Sequence, residues 1–320
     1  MNVLSVFDGI SCAKVSLDRV GLPVKTYFSS EVDKHAIKIS QKNHPSIIHL
    51  GDVREIQSID EPIGLLIGGS PCTDLSIAKK DRKGLEGEHS SLFWEYVRLW
   101  KLVKPKWFIL ENVASMPKKD RDIITEVLGV EPLLINASLV SAQCRKRLFW
   151  TNIPNVGLPE DKGILLKDIL QPDAEVDEGM VVDGKSFCLT ATYHKPGEGQ
   201  KEYEHNKVKK QRTMVKVGHI GTTNGQANRV YDPEGKSCTL SANGGGSGAK
   251  TGLYQTETRI RKLTPIECER LQGLPDDYTE GIAKTNRYKA LGNAFNVDVV
   301  AHILSCIPKE PKRKVSSKHK

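Results

Sequence analysis

Residues 65–76, LLIGGSPCTDLS, place a cysteine directly after an apolar run with the composition of a buried strand. Cys72 follows two glycines and Pro71, and the carboxyl of Glu111 comes in a second apolar run, FILENV. If both runs are strands of a parallel sheet, their carboxyl ends meet at one edge and the two groups share a crevice. A thiolate is a nucleophile, and a buried glutamate can act as a general acid. The alternative for Cys72 alone is a turn in which a small hydrophobic residue happens to be cysteine.

Two arginines in QCRKR, residues 143–147, are spaced to add positive charge to such a crevice. Arg145 and Arg147 lie two residues apart, so on a strand their side chains point to the same face. A neighbouring guanidinium favours the thiolate form of cysteine and so lowers the pKa of the thiol. The combination therefore indicates nucleophilic catalysis by a cysteine.

Acidic and small residues at three earlier strand ends have the pattern of an adenosine site. Gly9 in FDGIS permits close backbone approach, although the full dinucleotide fingerprint G-x-G-x-x-G is missing. Glu31 stands where a ribose would be held, Asp52 where an adenine amine would be met, and Phe7 offers an aromatic face. For each acid alone the alternative is a helix cap or a surface charge.

One reaction uses all of these groups together. A thiolate adds to C6 of a pyrimidine while the acid supplies a proton to N3. C5 then becomes nucleophilic and takes a methyl group from a sulfonium donor, and loss of the C5 proton expels the enzyme. The residues thus predict methyl transfer to a pyrimidine by covalent catalysis.

The composition restricts the setting of this chemistry. A net charge of +8 favours a polyanionic partner, although part of the excess lies in the basic segment 309–320. The seven cysteines are scattered without a C-x-x-C pair, so we expect no metal site, no disulfide framework and a reducing cytoplasm. No apolar stretch is long enough to span a membrane, and the first residues lack the features of a signal peptide.

Short apolar runs alternate with helix-like segments over about the first 150 residues. NVLSVF, VKTYFSS, GLLIGG, KWFILEN and RLFWTN are predicted strands, and SCAKVSLDRVG, DKHAIKISQKN and SLFWEYVRLWKLV are predicted helices. This alternation predicts a doubly wound, mostly parallel α/β sheet of Rossmann-like type, followed by a smaller β-rich domain rich in turns. We expect a catalytic and cofactor-binding domain at 1–157, a second lobe at 158–258, helices returning to the first domain at 259–308, and a disordered tail at 309–320.

The motifs, taken in order, resemble those of the cytosine-5 DNA methyltransferases across almost the whole chain. VFDGISCA resembles the cofactor loop, SEVDKHA the ribose-binding acid, GDV the adenine contact and GGSPCTDLS the nucleophile loop. ENV resembles the proton-donor strand and QCRKRLFW the paired arginines, and RKLTPIECERLQGLPDDY and YKALGNAFNVDVV resemble the closing helices. The resemblance implies S-adenosylmethionine as methyl donor and duplex DNA as substrate, with the target cytosine flipped into the crevice. It also implies that the second lobe at 158–258 is a target-recognition domain.

The resemblance also implies a role for each matching residue. The expected catalytic residues are Cys72, Glu111, Arg145, Arg147 and Asn112. The expected cofactor-binding residues are Phe7, Asp8, Gly9, Ile10, Glu31, Val32, Asp52, Val53, Pro71, Leu92, Asn293 and Phe295. The expected DNA-binding residues are Ser76, Lys79, Lys80, Arg82, Gln226, Arg229 and Asn243. Gln226 would fill the space left by the flipped base and Arg229 would bind a guanine edge, the alternative for Arg229 being a surface salt bridge. The loop at 76–91 would close over the site, the alternative being an ordinary solvated loop.

Two parts of the chain resemble different branches of the family. The front, with FDGIS, SEVD and GGSPCTDLSIAKKDRKGL, is similar to the animal de novo enzymes. The back resembles the small bacterial enzyme that modifies the inner GCGC site, in the segments LKDILQPDAEVDE, GQANRVYDPEGKSCTLSANGGGSGAKTGLY and RKLTP. Thr73-Asp74 after the cysteine, GNAF in place of the usual Gly-Asn-Ser-Val, and Asn243 in place of an aromatic residue depart from the common pattern. These departures bear on the target sequence more than on the reaction.

Three other functions compete with this interpretation. A transfer-RNA cytosine-5 methyltransferase shares the sheet, cysteine and cofactor. Such enzymes carry different residues after the cysteine and have a shorter, less Gly-rich second lobe. A non-catalytic regulator of the same fold is expected to have lost the cysteine, glutamate or arginines. An oxidoreductase would leave Cys72 and Glu111 without a role. We therefore expect a monomeric bacterial or phage DNA methyltransferase that acts at a short GC-rich site. The sequence leaves open whether the enzyme has a partner restriction endonuclease.

Overall fold

The computed structural model describes residues 1–71, 92–171, 216–219, 229–240, 253–255 and 260–308. The main sheet has the strand order β3-β2-β1-β4-β5-β7-β6. Neighbouring strands from β3 to β5 pair in parallel, whereas β7 is antiparallel to both β5 and β6. The predicted doubly wound, mostly parallel sheet is confirmed. The strands are β1 (Asn2–Val6), β2 (Tyr27–Ser30), β3 (Ile48–Gly51), β4 (Ile63–Gly69), β5 (Trp107–Val113), β6 (Leu133–Asn136) and β7 (Lys146–Thr151).

Local sequence signals begin and end several of the helices. Asp33 caps its helix by accepting from the main-chain N–H groups of His35 and Ala36. Thr264 and Glu267 form a reciprocal capping box. Gly129 ends another helix in the left-handed conformation, with φ 69°. The helices are α1 (Cys12–Arg19), α2 (Lys34–Asn43), α3 (Leu92–Val103), α4 (Lys118–Leu128), α5 (Pro265–Leu271), α6 (Lys284–Asn293) and α7 (Val297–Ser305).

The central strands are apolar on both sides because helices cover both faces of the sheet. Val3 and Leu65 lie in one hydrophobic cluster with residues of α1 and α7. Their neighbours Leu4 and Leu66 lie in a second cluster with residues of α3 and α4. Two cores thus clamp the strands, and the carboxyl ends of β1 to β5 are held at one edge.

A second, four-stranded sheet has the order β11-β10-β9-β8. After it the chain returns to the main sheet: the hydroxyl of Ser16 on α1 donates to the carbonyl of Val297 on α7, and Arg19 pairs with Asp298. The proposed boundaries at 157/158 and 258/259 stay predictions. None of the helices described has the length and apolar character to cross a membrane. The second sheet comprises β8 (Lys216–His219), β9 (Arg229–Tyr231), β10 (Leu253–Gln255) and β11 (Ile260–Arg261).

Candidate active site

The turn after β1 has an unusual backbone. Phe7, Gly9 and Ser11 all have positive φ, at 55°, 58° and 60°. A Cβ atom on Gly9 would meet nothing within 4 Å, so the position favours glycine for its backbone conformation and not for lack of space. Two non-glycine residues in the left-handed region store strain of about 1–3 kcal/mol each, and such strain concentrates at ligand sites.

The side chain of Asp8 turns inward and holds this turn from below. Its Oδ1 accepts from the hydroxyls of Ser5 at 2.5 Å and Tyr27 at 2.7 Å. Its Oδ2 accepts from the hydroxyls of Ser11 at 2.6 Å and Ser29 at 2.9 Å. With 3% of the residue exposed, the carboxylate is committed to these four donors. Any contact of Asp8 with a cofactor would therefore come from its main chain.

The carboxylate of Glu31, one residue after β2, is oriented by three main-chain N–H groups. Gly9 donates to Oε2, and Val32 and Asp33 donate to Oε1, each at 2.8 Å. Such hydrogen bonds to a charged acceptor are short and strong. They occupy both lone pairs of Oε1 and one of Oε2, so the second lone pair of Oε2 stays available to a hydroxyl donor of a ligand.

Asp52, one residue after β3, is held by Arg54. The main-chain N–H of Arg54 donates to Oδ1 at 2.9 Å, and its guanidinium pairs with both carboxylate oxygens. The Arg54 side chain first, and then its main-chain N–H, lowers the pKa of Asp52 to about 2. The carboxylate therefore stays an acceptor at every physiological pH.

The other predicted cofactor residues differ in how far their side chains are exposed to solvent. Ile10 and Val53 are buried in the two hydrophobic clusters. Val32 is 68% exposed beside Glu31. Leu92 begins α3 and is half-buried, and Asn293 ends α6 and is exposed.

The ends of β4 and β5 lie side by side. Gly69, the last residue of β4, pairs with Glu111 on β5. Pro71 follows two residues later and is half-buried. Cys72 lies outside the described residues. The chain leading to it therefore leaves the sheet next to Glu111.

Asn112 supports this edge from inside. Its amide Nδ2 donates to the hydroxyl of Ser70 at 3.0 Å, and its Oδ1 accepts from the N–H of Val113. The residue is buried. These bonds tie β5 to the residue that precedes Pro71, so they indicate a positioning role for Asn112.

Glu111 and Arg147 form an ion pair across β5 and β7. Arg147 Nε lies 2.8 Å from Glu111 Oε1, and both side chains are mostly buried. The second oxygen, Oε2, faces the end of β4, because a Cβ atom added to Gly69 would lie 2.9 Å from it. One carboxyl oxygen is thus fixed by a guanidinium and the other is directed toward the strand that leads to Cys72.

Arg145 has a different set of partners. Its buried guanidinium donates to the main-chain carbonyls of Leu240, Gly292 and Ala294, at 3.3, 3.1 and 3.0 Å. Leu240 belongs to the second lobe, and the other two carbonyls lie at the end of α6. These contacts connect three parts of the chain at one point.

Phe295 closes the edge beside the ion pair. A Cβ atom on Gly69 would lie 2.8 Å from Cε1 of its ring. A cavity of about 10 Å³, roughly one water molecule in size, is lined by Phe295, Glu111, Arg145 and Arg147 together with Asn296 and neighbouring apolar residues. The structure therefore brings the predicted acid, both arginines and Phe295 around one small space.

Residues 1–309 match the family model described as C-5 cytosine-specific DNA methylase. The chain belongs to the C-5 cytosine-specific DNA methylase family. It is 29% identical over 322 residues to the Type II methyltransferase M.HhaI of Haemophilus parahaemolyticus, covering 95% of this chain and 93% of that protein. It is also 29% identical to the Type II methyltransferase M.Bsp6I of a Bacillus strain, covering 97% of this chain and 99% of that protein.

Solved structures share the fold. The Dnmt2 methyltransferase of Schizosaccharomyces pombe aligns with a TM-score of 0.67 at 16% identity, over 95% of this chain and 97% of its own. The methyltransferase EhMeth of Entamoeba histolytica aligns with the same score at 15% identity, over 96% and 97% of the two chains. The overall fold of this chain is thus shared with solved methyltransferase structures.

Membership of this methylase family implies S-adenosylmethionine as the methyl donor. The donor set fits it, because the turn at 7–11 brings main chain to the edge and Glu31 and Asp52 present carboxylates to hydroxyl, amine or sulfonium groups. In the ranges that the structure describes, no three His, Cys, Asp or Glu side chains cluster as metal ligands would.

Several predicted site residues of the methylase lie beyond what the structure describes. Arg229 is placed only as the first residue of β9. The remaining roles therefore stay predictions from the resemblance. The residues outside the described ranges are Cys72, Ser76, Lys79, Lys80, Arg82, Gln226 and Asn243.

Lys236 is a residue that the sequence interpretation did not select. It is 1% exposed, and its ammonium donates to the carbonyls of Ser138, Ser141 and Ile164. The sequence signal in this segment is the similarity of GKSCTLSA, residues 235–242, to GKSFCLTA, residues 184–191, and that similarity does not single out the lysine.

Proposed function

We propose that this chain methylates C5 of a cytosine flipped out of double-stranded DNA, through a covalent bond between Cys72 and C6 of the base. The family membership supports the base and the reaction class. The resemblance of the second lobe to the enzyme for GCGC supports a short GC-rich site. The net charge of +8 suits a polyanionic substrate.

The observation that carries the proposal is the orientation of Glu111. Its Oε1 is paired with Arg147, and its Oε2 faces the end of β4, three residues before Cys72. A carboxyl at this position can pass a proton to a ring nitrogen of a base that the thiolate attacks.

The reaction then balances through the chain's own groups. The Cys72 thiolate forms a bond to C6, and the electron pair of the 5,6-double bond is stabilised as N3 takes a proton from Glu111. S-adenosylmethionine, when bound, supplies a methyl group on a sulfonium, which is the electrophile that C5 requires. Removal of the C5 proton by a base restores the 5,6-double bond and releases Cys72 as thiolate, while N3 returns its proton to Glu111. The donor is left as the thioether S-adenosylhomocysteine. Arg147 keeps the Glu111 carboxyl in place throughout.

The carboxylates that we assign to the cofactor are held in fixed orientations by hydrogen bonds. Glu31, fixed by three N–H groups, is assigned to the ribose hydroxyls, and Asp52 to the adenine amine. Phe7 and Phe295 are assigned to the apolar walls, with the main chain of residues 8–10 beside them. Val32, Val53, Pro71, Leu92 and Asn293 complete the proposed contact set.

On the DNA side, the proposed contacts come from two segments. Ser76, Lys79, Lys80 and Arg82 would hold phosphates next to the flipped nucleotide. Gln226, Arg229 and Asn243 would face the bases, with Arg229 binding a guanine through O6 and N7.

The relatives indicate the biological setting. M.HhaI and M.Bsp6I are Type II methyltransferases, and M.SPRI of Bacillus phage SPR is an orphan methyltransferase. We propose that this chain acts as a monomer in the cytoplasm of a bacterium or phage-infected cell. It would either protect DNA from a partner restriction endonuclease or act as an orphan.

The test is bisulfite sequencing of plasmid DNA from cells expressing the wild type, Cys72→Ser or Glu111→Gln. We expect one short motif to be methylated by the wild type alone, and purified Cys72→Ser to retain cofactor binding by calorimetry. Glu111→Gln should lose about 10² to 10⁴ in the rate of methyl transfer.

The controls separate chemistry from folding. Glu126→Gln, on the surface helix α4, is the matched carboxyl-to-amide change and should methylate as the wild type does. Methylation by Cys72→Ser at the wild-type rate would exclude the covalent step. A folded, cofactor-binding wild type that methylates no DNA would exclude the proposed substrate and direct the search to RNA.

A further inference from the structure

A segment of the second lobe, residues 233–240, lies along residues 138–145 of the first; we call this contact the seam. The N–H of Ser237 donates to the carbonyl of Ala142 at 2.8 Å, and the N–H of Cys144 donates to the carbonyl of Ser237 at 2.9 Å. Ser237 stands opposite Gln143 in a parallel bridge. The second lobe is therefore joined by main-chain bonds to the chain that runs directly into Arg145 and Arg147.

Lys236 sits at the centre of the seam. Its ammonium donates to the carbonyl of Ser138 at 2.8 Å, to that of Ser141 at 3.0 Å, and to that of Ile164. An ammonium has three protons, and these carbonyls accept all three. Burial of a charged group is costly unless such bonds are made, so the arrangement is satisfied in one register of the two segments only.

The seam also reaches the catalytic ion pair. The hydroxyl of Thr239 donates to the carbonyl of Cys144 at 2.5 Å, one residue before Arg145. Arg147 follows two residues later on β7 and pairs with Glu111. A displacement of the seam along its length therefore displaces the residues that orient the Glu111 carboxyl. Misplacement of a catalytic group by about 1 Å can lower a rate by about 10²-fold.

We propose that Lys236 is a positioning residue that sets the register of the second lobe against the chain carrying Arg147, and so sets the orientation of Glu111. The proposal rests on the function proposed above. It differs from a purely structural role, in which loss of Lys236 would weaken the fold and all its activities together.

The experiment compares Lys236→Met with Lys167→Met. Lys167 lies beside the same seam, but its ion pair with Glu234 is exposed, so the control removes a lysine without removing a buried charge. Cofactor affinity is measured by calorimetry, and methyl transfer is measured in a single turnover at saturating DNA. For Lys236→Met we expect a rate about 10²-fold lower with cofactor affinity within about twofold of wild type. Lys167→Met should match the wild type in both measurements.

An NMR measurement without DNA reports on the ion pair between Arg147 and Glu111 directly. The Nε–H signal of Arg147, assigned by its loss in Arg147→Lys, should shift or broaden in Lys236→Met and stay unchanged in Lys167→Met. If the wild type methylates no DNA, the proposed function fails, while this signal still decides the positioning role. An unchanged signal or an unchanged rate in Lys236→Met would overturn the proposal, as would a parallel loss of cofactor affinity.

Thr239→Val covers the case in which Lys236→Met does not fold. It removes one hydroxyl from the seam and keeps the shape of the side chain. We expect a rate about tenfold lower, a shifted Arg147 signal and unchanged cofactor affinity. A wild-type rate and signal in this variant would overturn the proposal.

Discussion

Replacing Gly69 by alanine adds one methyl group at the point where β4, Glu111 and Phe295 meet. The new Cβ would lie 2.8 Å from Cε1 of Phe295 and 2.9 Å from Oε2 of Glu111. Ordinary van der Waals contact begins at 3.4 Å, so each neighbour has to move by about half an ångström. The carboxyl is restrained by Arg147 and the ring is buried, so neither moves freely.

The expected cost follows from overpacking of a tight site. Insertion of a methyl group into a packed region destabilises a protein by about 1–3 kcal/mol. Alanine also lowers the entropy of the unfolded chain relative to glycine, which offsets about 0.4–1 kcal/mol. We therefore expect Gly69→Ala to lower the free energy of unfolding by about 1–2 kcal/mol. Displacement of the Glu111 carboxyl should lower the rate of methyl transfer by about 10- to 100-fold.

The assay combines urea unfolding, cofactor calorimetry and single-turnover methyl transfer. Gly157→Ala is the matched control, because a Cβ atom there would meet nothing within 4 Å. We expect it to leave activity unchanged and stability equal or slightly higher. If the Glu111 carboxyl yields in Gly69→Ala, the rate falls most, and if the Phe295 ring yields, cofactor affinity falls most.

A double variant tests whether the ring is responsible. Gly69→Ala combined with Phe295→Val removes the nearest ring atoms, so the stability losses should be less than additive. Wild-type stability, rate and cofactor affinity in Gly69→Ala would refute the close packing of Gly69 against Phe295 and Glu111. Additive losses of stability in the double variant would refute only the contact between the added methyl group and Phe295, and would leave the contact with Glu111 standing.

Three further predictions concern buried and charged groups. Asp8→Asn removes the acceptor for two of four hydroxyls and should lower the free energy of unfolding by about 2–4 kcal/mol in urea; a loss under about 1 kcal/mol would contradict the hydroxyl cage. The folded-state pKa of Asp52, about 2, lies below its ordinary 3.8, so its pairing with Arg54 favours the folded state above about pH 4 and is lost as the pH falls through about 2. Arg54→Ala should raise that pKa toward 3.8 in a carbon-13 NMR titration, and an unmoved midpoint would count against the pairing. Burial raises the pKa values of the Cys12 and Cys268 thiols, so iodoacetamide at pH 8 should leave both unmodified until the protein unfolds, as read by mass spectrometry; labelling of either in the native protein would show that it is accessible.

The main sheet could largely be predicted because its central strands are buried on both faces. NVLSVF, GLLIGG and KWFILEN each contain a run of three or four mainly apolar residues, which distinguishes them from the amphipathic helices between them. The mostly parallel sheet is confirmed. A strand ending before Asp52 was expected but not delimited, and no strand was predicted at 133–136, since these two strands are four residues long and partly exposed, and their pattern is weak. The antiparallel direction of β7 could not be predicted either, because an apolar run such as RLFWTN has the same composition in a parallel and in an antiparallel strand.

For the candidate site, the sequence alone determined which chemical groups the chain carries and at which strand ends they occur. A cysteine after β4, a carboxyl on β5 and acids after β2 and β3 follow from local composition and the order of the motifs. Only the tertiary structure decided where each side chain points. Asp8 turns inward because four hydroxyls from separate segments converge on it. Lys236 became visible for the same reason, since the carbonyls that satisfy a buried charge lie far from it along the chain and are brought together only by the fold.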